Sequence, residues 1–191
     1  MRFIPFVVIS GLLVVLSSCG GYHWGRGGAN DSGLTSYKTL SIPYVEGDLD
    51  GSITSALVKQ ICSTAAFQYR PEGGSLILKV VVLGYEDDNI GYRYDRKRNG
   101  KLSKSIIPVE MRMTILTEVK MVEAISGQTI LGPVKISANV DFDHDYYSSQ
   151  NGINIFSLGQ LSDVDEAQDA AQIPLNERLA RKIAAYITDN W

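Results

Sequence analysis

The sequence predicts an α+β fold: a two-layer sandwich in which a sheet of about four strands, mixed or antiparallel, carries two helices on one face. Three observations predict it. Two segments repeat apolar residues every four positions, Ile53, Leu57, Ile61, Ala65 and Leu175, Leu179, Ile183, Ile187. Two others, Ile107–Met121 and Val134–Phe142, alternate apolar with polar residues. The segments follow one another as strand, helix, three strands and helix, so two helices can cover one side of a single sheet. Of 191 residues 45% are apolar and 20% charged, with a formal net charge of −3. That balance supports a core and excludes a polybasic nucleic-acid binder. Two Cys exclude a disulfide scaffold, and two His make a histidine-built active site hard to assemble.

Residues 1–18 read as a signal peptide. Met1 and Arg2 give a small positive end, and Phe3–Leu16 is almost wholly apolar, too short to span a bilayer comfortably. The run ends in Leu16-Ser17-Ser18-Cys19, which resembles a bacterial lipobox: an aliphatic residue, two small ones, then Cys. The alternative, a transmembrane anchor with a chance Cys, fits poorly with the polar, glycine-rich stretch that follows. Cleavage before Cys19 leaves a thiol to carry diacylglycerol and an N-acyl chain, enough buried methylene for stable anchoring. Gly20, rather than Asp, comes next, which by the enterobacterial sorting rule points to the outer membrane. With Cys19 acylated, Cys62 has no disulfide partner, and its place beside Ile61 predicts a small buried hydrophobe.

Residues 19–36 form the lipidated Cys and a flexible tether with six glycines from Gly20 on. A single domain then spans residues 37–191. Leu40, Ile42 and Tyr44 share one parity and predict a short strand, with Pro43 favouring an edge. The first helix follows over Ile53–Ala65, ended by Arg70-Pro71-Glu72-Gly73-Gly74. Leu76–Leu83 is apolar on both parities apart from Lys79, as in a strand covered on both faces. One parity of this strand therefore awaits a cover that two helices cannot supply, and a partner protein is expected there. Ile107, Val109, Met111, Met113, Ile115, Val119 and Met121 form the inward parity of the next strand, and a turn at Ser126-Gly127-Gln128 pairs it with Val134–Phe142. Pro174 either opens the last helix or interrupts a longer one from near Asp163.

No phosphate-binding glycine loop, HExxH or GxSxG is present, so no enzyme is expected and no metal or cofactor beyond the acyl groups. Asp141, Asp143 and Asp145 alternate and could ligate a cation. As an EF-hand loop the run fails, because Tyr146 and Gly152 stand where Gly and Glu are required. A solvated strand end is the plainer reading. Arg93, Arg96, Lys97, Arg98, Lys101 and Lys104 are six of the 18 cations, gathered within twelve residues and interleaved with Tyr92 and Tyr94. The plain reading is a solvated hairpin tip in the connection between two strands. The functional one is anion capture, for which Arg supplies bidentate and Lys point-charge contacts.

The lipobox, the opening Cys19-Gly20-Gly21-Tyr22-His23, the short strand and helix, the three-strand meander and the terminal helix together resemble the LPS-assembly lipoprotein family, LptE. Family members usually read Cys-Gly-aromatic, and here Gly21 intervenes. The resemblance implies a lipoprotein on the periplasmic face of the outer membrane. It would assist assembly of the β-barrel LptD, plug it, bind lipopolysaccharide and help deliver it to the cell surface. Cys19 maps onto the acylated position. The six basic residues are expected to hold the phosphates of the glycolipid, an expectation drawn from their chemistry alone. Nucleic acid is not expected as a partner. The alternative is a lipid-anchored scaffold or pilotin-like chaperone of another outer-membrane complex with no lipid ligand, which would not need the basic loop.

Overall fold

A computed structural model describes residues 39–97, 99–144 and 164–190. All belong to one compact unit, Leu34–Trp191. The stretches expected to be signal peptide and tether, with Cys19, and also Arg98, Asp145 and the segment Tyr146–Leu161, lie outside the described residues.

Among the described residues the chain forms strand β1 (Thr39–Ser41), helix α1 (Ser52–Ser63), β2 (Gln68–Tyr69), β3 (Leu76–Arg96), β4 (Leu102–Glu123), β5 (Thr129–Asp143) and helix α2 (Val164–Asp189). The sheet order is β2-β1-β3-β4-β5. β1 runs parallel to β2 and β3, and β3–β4–β5 is an antiparallel meander. The fold is thus the expected α+β arrangement, with a fifth strand of two residues added. Pro43 lies beyond β1, so β1 sits inside the sheet rather than at its edge, and Tyr44 turns outward while Val45 takes the buried place.

One core fills the space between the helices and one sheet face. Ile53, Leu57 and Ile61 of α1 and Leu175, Leu179, Ile183 and Ile187 of α2 meet Leu76, Leu78 and Val80 of β3 and Met113, Ile115, Val119 and Met121 of β4. The helical period of four and the strand period of two both resolve onto this core. Thr117, on the same inward parity, is fully buried because its hydroxyl donates to the Ile136 carbonyl at 2.9 Å. α2 extends N-terminally through Pro174, with Ala167 and Ala171 buried, so the longer of the two predicted helices forms. Buried Asn176 ties α2 to α1 by donating to Ser52 Oγ at 2.9 Å. Cys62 departs from expectation. It is exposed, one position past buried Ile61 and therefore about 100° round α1 from the core stripe.

Gly127 closes the β4–β5 hairpin at φ 70°, as the turn sequence predicts. In β5, Gly132 sits at φ 82°, where the ladder with β4 is irregular between Met121 and its neighbours. A Cβ there would lie 2.5 Å from the Val119 carbonyl oxygen, so only glycine fits the approach of β5 to β4.

Candidate functional site

β3 and β4 run much further than their apolar stretches. β5 pairs with β4 only from Glu110 to Val122, whereas β3 and β4 stay paired out to Arg96 and Leu102. The excess is a two-stranded arm beyond the core. The expected long connection between the strands is therefore mostly ladder, with only residues 97–101 as turn.

The arm positions the basic residues. Lys97 N–H donates to the Lys101 carbonyl and Gly100 N–H to the Lys97 carbonyl, each at 2.8 Å, and Gly100 at φ 78° makes the reversal. Arg96, Lys97 and Lys101 thus meet at the tip, with Lys104 on the returning strand. The register sets Tyr92 opposite Pro108, Tyr94 opposite Ile106 and Arg96 opposite Leu102, so these six share one face. Arg93 pairs with Ile107 and lies on the other face. The ladder therefore divides the cluster rather than gathering every charge on one side. Arg98 lies outside the described residues.

The face with Arg96 is amphipathic. Tyr92, Tyr94 and Ile106 are each 59% exposed and Leu102 62%. Tyr92 is steadied by its hydroxyl, which donates to the Asn89 carbonyl at 3.1 Å. Sequence reasoning noted the tyrosines and missed Leu102, Ile106 and Pro108. Their signal was the outward parity of β4, the one opposite Ile107, which continues back through the charged stretch. An exposed apolar strip rimmed by cations suits an amphiphile with an anionic head or a second protein surface.

The sheet face turned away from the helices is the second candidate surface. Ile77 and Val81 are half-buried, Leu83 and Leu116 are exposed, and Val122 is buried beside Ile77. Around them stand the cross-strand neighbours Lys79 and Lys120, and Glu118 with Lys135. A bulge at Leu83 shifts the register between Val82 and Gly84. Past it, Tyr85 joins Ile115 on the helix-covered side, and burial first, then the carboxylates of Asp48 and Asp50, hold its phenol above the ordinary value. Further along, Arg112 grips Asp141 with two hydrogen bonds of 2.6 and 2.8 Å. That grip is the main reason the Asp141 carboxyl titrates below its ordinary value, and it raises the Arg112 guanidinium in turn. Asp141 is thus engaged by a cation of its own chain.

No family model matches the chain, and no curated protein matches its sequence. Solved structures similar to it include a minor lipoprotein from Acinetobacter baumannii, 15% identical, covering 81% of this chain and 95% of that one with a TM-score of 0.47. Another is rare lipoprotein B from Shewanella oneidensis, 11% identical, covering 80% and 96% with a TM-score of 0.48. A third is an uncharacterized lipoprotein B from Nitrosomonas europaea, 12% identical, covering 80% and 85% with a TM-score of 0.39. Each of these three is described as a lipoprotein.

Proposed function

We propose that this protein is an outer-membrane lipoprotein, held on the periplasmic face by acyl chains on Cys19, that binds lipopolysaccharide and assists and plugs an LptD-like β-barrel through which the glycolipid is delivered. The lipobox supports the anchor. The observation that carries the ligand is the amphipathic arm, where Arg96, Lys97, Lys101 and Lys104 stand beside exposed Tyr92, Tyr94, Leu102 and Ile106. Lipid A joins phosphates to acyl chains, and such a strip offers cations to the first and apolar area to the second. One exposed pair contributes little, roughly 0–1 kcal/mol, so affinity requires several charges acting on one headgroup.

The test is binding of the full chain in detergent to lipid A-containing glycolipid at low and moderate salt. A variant with Arg96, Lys97 and Lys104 changed to Gln should bind more weakly, and wild-type binding should fall with salt, since exposed charges are screened beyond about 8–10 Å at physiological ionic strength. Exchanging Glu118 and Lys120 on the sheet face is the control and should change nothing. Wild-type affinity in the neutralised variant at low salt would reject the ligand reading and favour an anchored scaffold.

A further inference from the structure

Among the described residues the arm also has a free backbone edge. β1 pairs with β3 only at Leu76 and Ile77, and Glu46 bridges to Val81. Among the described residues no strand pairs with that edge of β3 from Leu83 to Arg96, about 45 Å of strand. The other outer edges are blunted. β2 has two residues. On β5, Arg178 donates to the Asn139 carbonyl at 2.6 Å and Lys182 to the Ser137 carbonyl at 2.8 Å, so α2 occupies two acceptors. The distal edge of β4 holds Pro108, and the His144 N–H takes the Val109 carbonyl. This edge has no proline; its ladder with β4 is irregular at Asn89–Tyr92 and Tyr94–Arg96, yet its length still makes it a template for another strand.

The side chains say which strand fits. The free stretch is polarised: Glu86, Asp87 and Asp88 lie near the core, Arg93, Arg96 and Lys97 near the tip. Two copies related by a two-fold axis would run antiparallel, acidic half against basic half. We propose that this edge of β3 pairs with the same edge of a second copy, with the axis at Tyr92. Tyr92 then faces its own copy, Ile90 faces the partner's Tyr94, and Asp88 faces the partner's Arg96. Each of the last two pairings occurs twice. Asp87 meets the partner's Lys97 on the opposite face. Asp88 stands across the ladder from Arg112, whose hydrogen bonds go to Asp141, and among the described residues Arg96 makes no ion pair within its own chain. Tyr92, Tyr94 and Ile90, all exposed in the single chain, would cover one another.

The pattern also rejects neighbouring registers. Moving the axis to Gly91 sets Glu86 against Arg96 but Asp87 against Asp95, so attraction and repulsion offset, and moving it to Arg93 sets that arginine against itself. Moving it to Ile90 keeps the attraction of Asp87 for Arg93 but leaves Arg96 opposite Gly84. Like charges opposite each other destabilise a pair of strands and unlike charges support it, so the charge order specifies the Tyr92 register. The inference rests on the free edge and its charge order, and holds whether or not the arm takes a glycolipid.

The test uses the full chain in detergent with Cys62→Ser as parent. Tyr92→Cys should give a disulfide-linked dimer on mild oxidation, because residues on the axis stand about 5 Å apart at Cβ. Tyr94→Cys should not, since its two copies would be offset by four residues, about 13 Å along the strands. Arg96→Asp should weaken self-association measured by sedimentation about tenfold, Asp88→Arg similarly, and the double exchange should restore it. Unchanged thermal transitions will show that the single variants are folded. Equal crosslinking at positions 92 and 94, a monomer at all concentrations, or a double exchange no better than the singles would each overturn the proposal.

Discussion

The carboxylate of Asp48 caps α1 from four positions before its first residue, Ser52, by gripping Thr54. The Thr54 N–H and hydroxyl donate to Asp48 Oδ2 at 2.8 and 2.6 Å, and the Ile53 N–H reaches Oδ1 at 3.4 Å. The residue at the usual capping position, Gly51, has no side chain to offer and stands at φ 79°. Asp48 is 4% exposed, so its acceptor capacity must be met inside the protein, and the Thr54 hydroxyl in turn accepts from the Val45 N–H at 3.1 Å. Asp48→Ala should therefore cost about 1–3 kcal/mol in a denaturant titration, and Asp48→Asn less. In a double-mutant cycle Asp48→Ala and Thr54→Val should be strongly non-additive, because each breaks the same pair. Additive effects would show the two groups to act independently.

Gly132 supports a second expectation. Ala at this position would need a left-handed backbone and would press its Cβ on the Val119 carbonyl. Gly132→Ala should destabilise by about 2 kcal/mol or more, and Gly127→Ala, at similar φ in a turn with open space around it, by less. Denaturant midpoints of the two variants make the comparison, and equal losses would count against a steric role for Val119.

The core was legible where side-chain period and burial agree. The four-residue stripes of α1 and α2 and the inward parity of β4 are the residues that pack together. The arm was not legible for the same physical reason. From Gly84 to Arg96 nearly every residue of β3 is exposed, so no alternation of apolar and polar residues records the strand; its ladder hydrogen bonds hold it. Cys62 was misplaced because neighbours in sequence on a helix do not share a face. β2 was missed because two residues carry no period. The basic cluster was legible as composition, but its division between two faces follows from a register that only pairing with β4 reveals.

Asp141 should leave a pH signature. Its carboxyl titrates below its ordinary value in the folded protein, chiefly through the Arg112 hydrogen bonds. A depressed folded value means that the stabilisation is fully present above the unfolded value, about 4, and is lost as pH falls through the folded one. The difference in stability between the wild type and Asp141→Asn should be constant from neutral pH down to about 5, and should shrink on further acidification. Because the pair is exposed, the difference should be small and should decrease with salt. A difference that grows on acidification would reverse the assignment.

The anchor makes a chemical prediction. Cys19→Ala removes the thiol that would accept diacylglycerol, so the variant should remain an uncleaved precursor without label when cells are fed radioactive palmitate. Cys62→Ser should label as well as the wild type, although Cys62 is exposed on α1. Equal labelling of Cys19→Ala and wild type would remove the basis for the lipoprotein reading.

The sheet face away from the helices tests the proposed barrel partner. The sequence left open which parity of Leu76–Leu83 would meet another protein. In the structure Leu76, Leu78 and Val80 are core residues, while Ile77 and Val81 are half-buried and Leu83 is 46% exposed. Leu116 continues this apolar strip on β4, within a surround of Lys79, Lys120 and Glu118. A protein surface seated here would gain apolar burial at roughly 25 cal/mol for each Å² removed from water, and would find charges at the rim for orientation. Photo-crosslinking residues placed at Val81 and Leu83 should capture an outer-membrane barrel protein in cells, and the same residue at Leu78 or Val80 should not. Arg112→Glu, further along the same face, should spare those crosslinks if the contact is confined to the apolar strip. Capture from Val80 equal to that from Val81 would mean that the partner meets an unfolded chain rather than this face. No capture from either would leave the exposed strip without the proposed partner and shift weight to the scaffold reading.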